Sequence, residues 1–140
     1  GNFSQVVESS HLFVFTVEKE LSEKELTKRI SLTIEKNSLP KEKALAYEQF
    51  IKKMIPSSWE SFAKKQVYIA LGFLMSTCAL LNIAHCPLEG FMPLEFDKIL
   101  GEPDYTSTVL CAVGYEKEKT PYVKTRLEEK DVFFHKSVVL

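Results

Sequence analysis

Two short stretches of the sequence carry residue types that could bind a ligand. The first is Pro87-Leu88-Glu89-Gly90, which lies between two predicted helices. Gly90 has no side chain, so a loop at this point can bring backbone N–H groups close to a ligand. On its own, the stretch is more typical of an ordinary connection between helices.

The second stretch is Lys124-Thr125-Arg126. In an extended segment, residues two positions apart point to the same side. Lys124 and Arg126 could therefore hold one anion together, the arginine through two parallel hydrogen bonds. An isolated Lys-x-Arg is most often part of a solvated surface.

Other combinations of residues predict no functional site. Cys78, His85 and Cys86 match no zinc spacing and have no fourth ligand nearby, so we expect no metal site. Cys111 lies in an apolar segment and is expected to be a buried thiol. The sequence shows no pattern of a catalytic triad, and no catalytic side chain is predicted.

Composition limits the class of protein. The chain has 140 residues, of which 45% are hydrophobic and 26% charged, and this predicts one globular domain over residues 1–140. A net charge of -1 argues against binding of nucleic acid through bulk basic charge. No signal-peptide pattern is visible, so we expect a cytoplasmic protein, and the start at Gly1 without a methionine indicates an N-terminal truncation.

The pattern of apolar residues predicts a mixture of strands and helices. Ser22 followed by Glu25 is typical of a capping box at the start of a helix. The predicted elements are a strand at 11–17, helices from residue 22, at 41–54, 58–81 and 93–100, a loop around 87–90, a strand at 106–115 and a terminal strand or arm at 132–134. Because two strands alone do not form a stable sheet, we expect further strands from a partner chain or from missing N-terminal sequence.

The apolar run from Val67 to Ala84 has two interpretations. It reaches the length of about 18 residues that a membrane span requires. It also contains Ser76, Thr77 and Asn82, and it continues an amphipathic first half. A helix that is apolar on all sides is also typical of a protein core. We therefore favour a core helix and expect no membrane partner.

The order of these features resembles the C-terminal part of the nitroreductase family, the FMN-dependent NAD(P)H oxidoreductases. The resemblance covers residues 2 to about 134. It is carried by the stretches at 8–11, 64–72, 84–91, 97–101, 112–115 and 121–126. Each motif is loose alone, but their order and spacing are specific.

The resemblance implies an α+β fold with an antiparallel or mixed sheet flanked by helices, a long central core helix and an interlocked homodimer with FMN at the subunit interface. It implies a flavoprotein oxidoreductase that takes a hydride from NAD(P)H and passes electrons through FMN to a nitro or quinone acceptor, with ping-pong kinetics. The partners are then a second copy of the chain and a small-molecule electron acceptor, without nucleic acid or membrane.

By motif match, the resemblance also implies the cofactor-binding residues. These are Asn2, Gln5, Pro87, Leu88, Glu89 and Gly90 at the flavin ring, and Lys124 and Arg126 at the phosphate. Gln5 stands where the family often has a lysine. An Arg-rich segment that holds FMN in the family matches nothing here and would precede residue 1. The alternative is therefore a truncated, flavin-poor dimer scaffold without catalytic activity.

Overall fold

The computed structural model describes residues 3–54, 59–118, 122–134 and 136. Asn2 lies outside these residues. In the described part, helices and an antiparallel sheet confirm the α+β class. The elements in chain order are α1 (Phe3–Glu8), β1 (His11–Glu18), α2 (Glu23–Lys36), α3 (Lys41–Met54), α4 (Trp59–Leu80), β2 (Ala84–Leu88), α5 (Pro93–Leu100), β3 (Tyr105–Gly114) and α6 (Glu129–Val132).

The sheet has the strand order β1-β3-β2, and both pairs are antiparallel. β1 and β3, the two strands predicted from sequence, pair directly, with His11 opposite Val113. The third strand comes from the chain itself, because β2 occupies part of the segment predicted as a loop around 87–90. Pro87 is compatible with β2 because this strand lies at the edge of the sheet, where a missing N–H is tolerated.

The core lies on both faces of β3. Val109, Leu110 and Cys111 are fully buried, and Cys111 is the buried thiol that the sequence predicts. One face packs against α4 through Leu71 and Cys78. The opposite face holds Leu88, Leu110 and Ala112, with Val6, Phe91 and Phe96 packed against them. The sheet therefore has α4 on one side and α1 and α5 on the other.

The ends of two predicted helices follow from their capping residues. The Ser22 hydroxyl accepts a hydrogen bond from the Glu25 N–H at 3.1 Å, as the capping box predicts. Gly101 ends α5 with a φ of 69°, a left-handed conformation that favours glycine. The first residue of the helix predicted at 58–81 lies outside the described residues.

The long helix α4 is buried on one side only. Its inner residues Leu71 and Cys78 are in the core, whereas Phe73 is 72% exposed and Leu80 is 84% exposed. The predicted core helix therefore contributes one side to the core, and its other side, although apolar, is exposed within this chain. No helix in the described ranges is both long enough and apolar enough to cross a membrane.

The segment after β3 is neither helix nor strand over 122–128 and then forms the short α6. The terminal strand predicted at 132–134 is not formed, because Val132 ends α6 and the two phenylalanines that follow pair with no described strand. Phe134 is 91% exposed. This segment therefore has the character of an exposed apolar arm.

Candidate functional site

Glu89, Gly90 and Phe91 form a three-residue turn at the end of β2. The Phe91 N–H donates to the Glu89 carbonyl at 2.9 Å, which places Gly90 at the centre of a γ-turn. Leu88 is buried before the turn. The Phe91 ring packs edge-on against Phe96, with ring centroids 5.1 Å apart. Both ends of the turn are thus anchored in the apolar face of the sheet.

Gly90 is open to a ligand. Its backbone is not in the left-handed region, and a Cβ added to it would meet nothing within 4 Å. Its N–H forms no hydrogen bond with any residue that the structure describes. Neither packing nor backbone conformation within the described chain therefore explains a glycine at this position. Within the described residues, the turn therefore presents a backbone donor without a hydrogen-bond partner.

Tyr68, in α4, forms a hydrogen bond with the first residue of the turn. Its hydroxyl donates a hydrogen bond to Glu89 Oε1 at 2.6 Å, a length typical of a hydrogen bond to a carboxylate. This hydrogen bond is the main reason why the pKa of Tyr68 lies above its usual value. Sequence reasoning missed Tyr68 as a site residue, because Glu89 is 21 residues away and no local pattern connects the two.

Gln5, in α1, contacts β2 just before the turn. Its Oε1 atom accepts a weak hydrogen bond from the Cys86 thiol at 3.7 Å, one residue before Pro87. Burial raises the pKa of that thiol. The structure therefore places Gln5 beside Cys86 in β2, and within the described residues no hydrogen bond joins Gln5 to Pro87–Gly90. Because the Leu88 side chain lies in the core, only its backbone is available to a ligand.

Lys124 and Arg126 lie on the exposed segment that follows β3. A guanidinium nitrogen of Arg126 donates to the neighbouring Thr125 carbonyl at 2.7 Å. Neither cation pairs with a carboxylate in the described part of the chain. Within the described residues, no hydrogen bond joins these cations to the turn at Gly90, and their convergence on one ligand stays a prediction.

A second concave region was not predicted. It is an apolar cavity of about 310 Å³ between α2, α3 and the start of α4, and Trp59 and Phe62 are among its lining residues. The Trp59 indole N–H donates to the Glu18 carbonyl at 3.1 Å. Arg29 at the cavity is held by Glu18 at 2.8 Å. This arrangement leaves the cavity with mainly aromatic and aliphatic walls.

Metal chemistry has no support among the described residues. In that part of the chain, no group of three or more His, Cys, Asp or Glu side chains could hold a metal ion. The buried thiols of Cys78 and Cys111 pack in the apolar core.

Known proteins share part of this sequence. No family model matches the chain. A stretch of 77 residues, 51% of this chain, is 42% identical to a candidate NAD(P)H nitroreductase of Staphylococcus saprophyticus and covers 35% of that protein. The corresponding protein of Staphylococcus aureus strain USA300 is 40% identical over 77 residues and is covered to 34%. The matched part thus spans about a third of the length of these curated relatives.

Solved structures share the fold over nearly the whole chain. A candidate NAD(P)H:FMN oxidoreductase of Staphylococcus epidermidis superposes with a TM-score of 0.76 over 94% of this chain and 63% of its own, at 14% identity. A candidate nitroreductase of Bacillus subtilis gives 0.76 over 94% and 66%, at 17% identity. The chain therefore has a nitroreductase-like fold. Together with the sequence matches, this confirms the resemblance to the nitroreductase family that the motifs indicate.

Proposed function

We propose that the chain is a nitroreductase-type oxidoreductase that binds FMN at the turn centred on Gly90 and uses NAD(P)H to reduce a nitro or quinone compound. The observation that carries this proposal is the open turn itself. Among the described residues, Gly90 has space above its Cα and an N–H without a hydrogen-bond partner, while Leu88 before the turn and Phe91 at its end pack against the core. The names of the similar proteins support the same chemistry.

The residues present fit FMN in two respects. The Gly90 N–H, which has no hydrogen-bond partner among the described residues, suits an acceptor atom on the edge of the ring. Lys124 and Arg126, which pair with no described carboxylate, suit a phosphate. When bound, FMN supplies the ring that accepts a hydride from nicotinamide and reduces the acceptor. The chain would bind and orient the ring, and no acid or nucleophile from a side chain is required.

The proposal includes a homodimer. Ile69, Phe73 and Leu80 are exposed and share one face of α4, since they are separated by four and seven residues. An exposed apolar patch of this kind marks a protein interface. The exposed arm that ends at Phe134 is a second apolar surface without packing in the described chain. A second copy of the chain would cover both surfaces, and its own arm would pack against the first copy.

The test begins with a titration of the purified chain with FMN, followed by flavin fluorescence and visible absorption. The double change Lys124→Ala with Arg126→Ala should weaken FMN binding by about 100-fold or more, because it removes two hydrogen bonds to a charged group and each contributes about 1.5–3 kcal/mol. A matched control is Lys41→Ala with Lys43→Ala, which removes two exposed cations of α3. Equal losses in both doubles would contradict the phosphate role.

The turn is tested by enlarging Gly90. Gly90→Ala should weaken FMN binding slightly and Gly90→Val strongly, because each added methyl group occupies space that the proposal gives to the ring. Since a Cβ at Gly90 meets nothing within 4 Å, the melting temperature and the oligomeric state should not change. FMN binding by Gly90→Val equal to that of the unaltered chain would exclude this turn as the ring site.

The alternative, a flavin-poor dimer scaffold, gives a different result. A colourless chain that forms a dimer and leaves the FMN spectrum unchanged would support the scaffold and overturn the oxidoreductase. The cytoplasmic location and the single domain over 1–140 stay predictions.

A further inference from the structure

The hydrogen bond between Tyr68 and Glu89 is placed where it can control the turn. Tyr68 belongs to α4, whose inner face is fixed to the sheet through Leu71, one turn further along the helix. Glu89 is the first residue of the turn, and its carbonyl accepts the Phe91 N–H. A movement of Glu89 therefore displaces the hydrogen bond that closes the turn and, with it, the N–H of Gly90.

Tyr68 restrains the first residue of the turn. Leu88, which precedes the turn, and Phe91, its last residue, pack against the apolar face of the sheet. Glu89 lies between them and is exposed. In the described part of the chain, the hydroxyl of Tyr68 is the hydrogen-bond partner of its carboxylate. Without that hydroxyl, the Glu89 side chain would sample several rotamers, and the peptide plane between Glu89 and Gly90 would lose its fixed direction.

We propose that Tyr68 is a positioning residue for the flavin site. Its hydroxyl holds the Glu89 carboxylate against α4 and thereby directs the Gly90 N–H toward the edge of the ring. This inference rests on the proposed function, because the N–H has a role only if a ring binds there. Tyr68 acts through Glu89 and need not touch the cofactor.

The first experiment needs no FMN. The chain contains five glycines, so labelling with ¹⁵N-glycine gives a simple NMR spectrum, and Gly90→Ala identifies the Gly90 signal by its loss. Tyr68→Phe should shift the Gly90 signal and lower its order parameter. Gly101 and Gly114 should not respond, because they lie at the end of α5 and of β3. An unchanged Gly90 signal would overturn the inference.

The matched control is Tyr105→Phe. Tyr105 is 37% exposed and Tyr68 is 43% exposed, and Tyr105 lies at the far end of β3, opposite Glu18. Both changes remove one half-exposed tyrosine hydroxyl. Only Tyr68→Phe should alter the Gly90 signal. The same response in both variants would mean that the loss of any such hydroxyl disturbs the chain.

The second experiment measures FMN affinity. Tyr68→Phe should weaken binding by about three- to tenfold, the range expected for one partly exposed hydrogen bond to a carboxylate. Glu89→Gln keeps an oxygen that accepts the Tyr68 hydroxyl and should retain most of the affinity, whereas Glu89→Ala should lose it. Because both groups act through one bond, Tyr68→Phe with Glu89→Ala should bind no more weakly than Glu89→Ala alone. The melting temperature should not change in any of these variants, which separates positioning from folding.

Two failures can be distinguished. If the unaltered chain binds FMN and Tyr68→Phe binds it equally well, the positioning role is overturned and the proposed function stands. If the unaltered chain does not bind FMN, the proposed function fails, and the positioning role fails with it.

Discussion

β3 and α4 are both dominated by apolar residues, but the structure uses them differently. β3 is covered on both faces, and Leu110 is only 1% exposed. α4 covers one face of that strand with its inner residues and leaves Phe73 and Leu80 exposed. The same kind of sequence therefore stabilises the chain in one region and leaves an exposed apolar surface in the other. The following changes test that difference, from the largest expected effect to the smallest.

Shortening a side chain in the centre of β3 should have the largest effect on folding. Leu110→Ala should lower the free energy of unfolding by about 2–5 kcal/mol, because it removes buried methyl groups and leaves a cavity. Chemical denaturation measures the change. The control is Leu80→Ala in a chain that already carries Phe73→Asp, which the dimer proposal expects to be monomeric. A comparable loss from the control would show that the outer face of α4 also supports the fold of the single chain.

Placing a charge on the outer face of α4 should affect association rather than folding. Phe73→Asp should weaken the proposed dimer by about 2 kcal/mol or more, the cost typical of a change at the centre of an interface. Sedimentation velocity over a range of concentrations measures the shift from dimer to monomer. Leu45→Asp, at an exposed apolar residue of α3, should leave the oligomeric state unchanged. A dimer unaffected by Phe73→Asp would place the interface elsewhere.

Removing the Asp97 carboxylate should have an intermediate effect on folding. Asp97 accepts a hydrogen bond from the buried Ser107 N–H at 2.7 Å. Asp97→Ala should lower the free energy of unfolding by about 1–2 kcal/mol, because that N–H loses its partner. Glu95→Ala is the control, since it removes an exposed partner of Lys98 on the same helix. A similar cost for both changes would contradict the role of Asp97 at the start of β3.

The Asp97 carboxylate also predicts a dependence on pH. Burial favours its neutral form and is the largest single influence, but hydrogen bonds from Ser107 and Thr106, together with the positive charge of Lys19, outweigh it and hold the pKa of Asp97 below its usual value. A group whose pKa is lowered by folding stabilises the folded chain above its unfolded pKa of about 3.9, and this stabilisation is lost as the pH falls through the lower folded pKa. The difference in stability between the unaltered chain and Asp97→Ala should therefore be constant from pH 5 to 7 and shrink below about pH 4. A difference that grows on acidification would have the wrong sign.

The smallest effect is expected for an ion pair on the exposed part of α4. Lys64 and Glu60 are one helical turn apart, with 2.5 Å between nitrogen and oxygen. Glu60→Ala should change the free energy of unfolding by less than about 0.5 kcal/mol, because both side chains are solvated. Thermal melts at low and high salt measure it. A larger loss would mean that this part of α4 contributes more to the fold than its exposure indicates.

Much of the fold could be predicted because local signals mark the ends of its elements. α3 begins at Lys41 and ends at Met54, and α5 begins at Pro93 and ends at Leu100, as the sequence predicts. Ser22 caps α2 as its spacing with Glu25 indicates. β3 was recognised because a strand buried on both faces is a nearly continuous apolar run.

The remainder could not be predicted because it depends on contacts distant in sequence. β2 was missed since proline and glycine indicate a loop, and only pairing with β3 makes 84–88 a strand. α1 is too short for a periodic pattern. In the candidate site, the resemblance indicated Gly90, and the structure shows it open. The bond from Tyr68 to Glu89 has no counterpart in local sequence, because it joins a helix to a turn through tertiary packing.

Pro87 also affects how readily the molecule aggregates at high concentration. A strand at the edge of a sheet has unpaired backbone N–H and C=O groups. An unfolded segment of another chain can pair with these groups and extend the sheet, which leads to aggregation. Pro87 in this edge strand has no backbone N–H to donate, so another segment cannot form a continuous row of hydrogen bonds along β2. Among the described strands, the same residue that obscures β2 in the sequence thus makes the edge of β2 a poorer template for pairing with other chains.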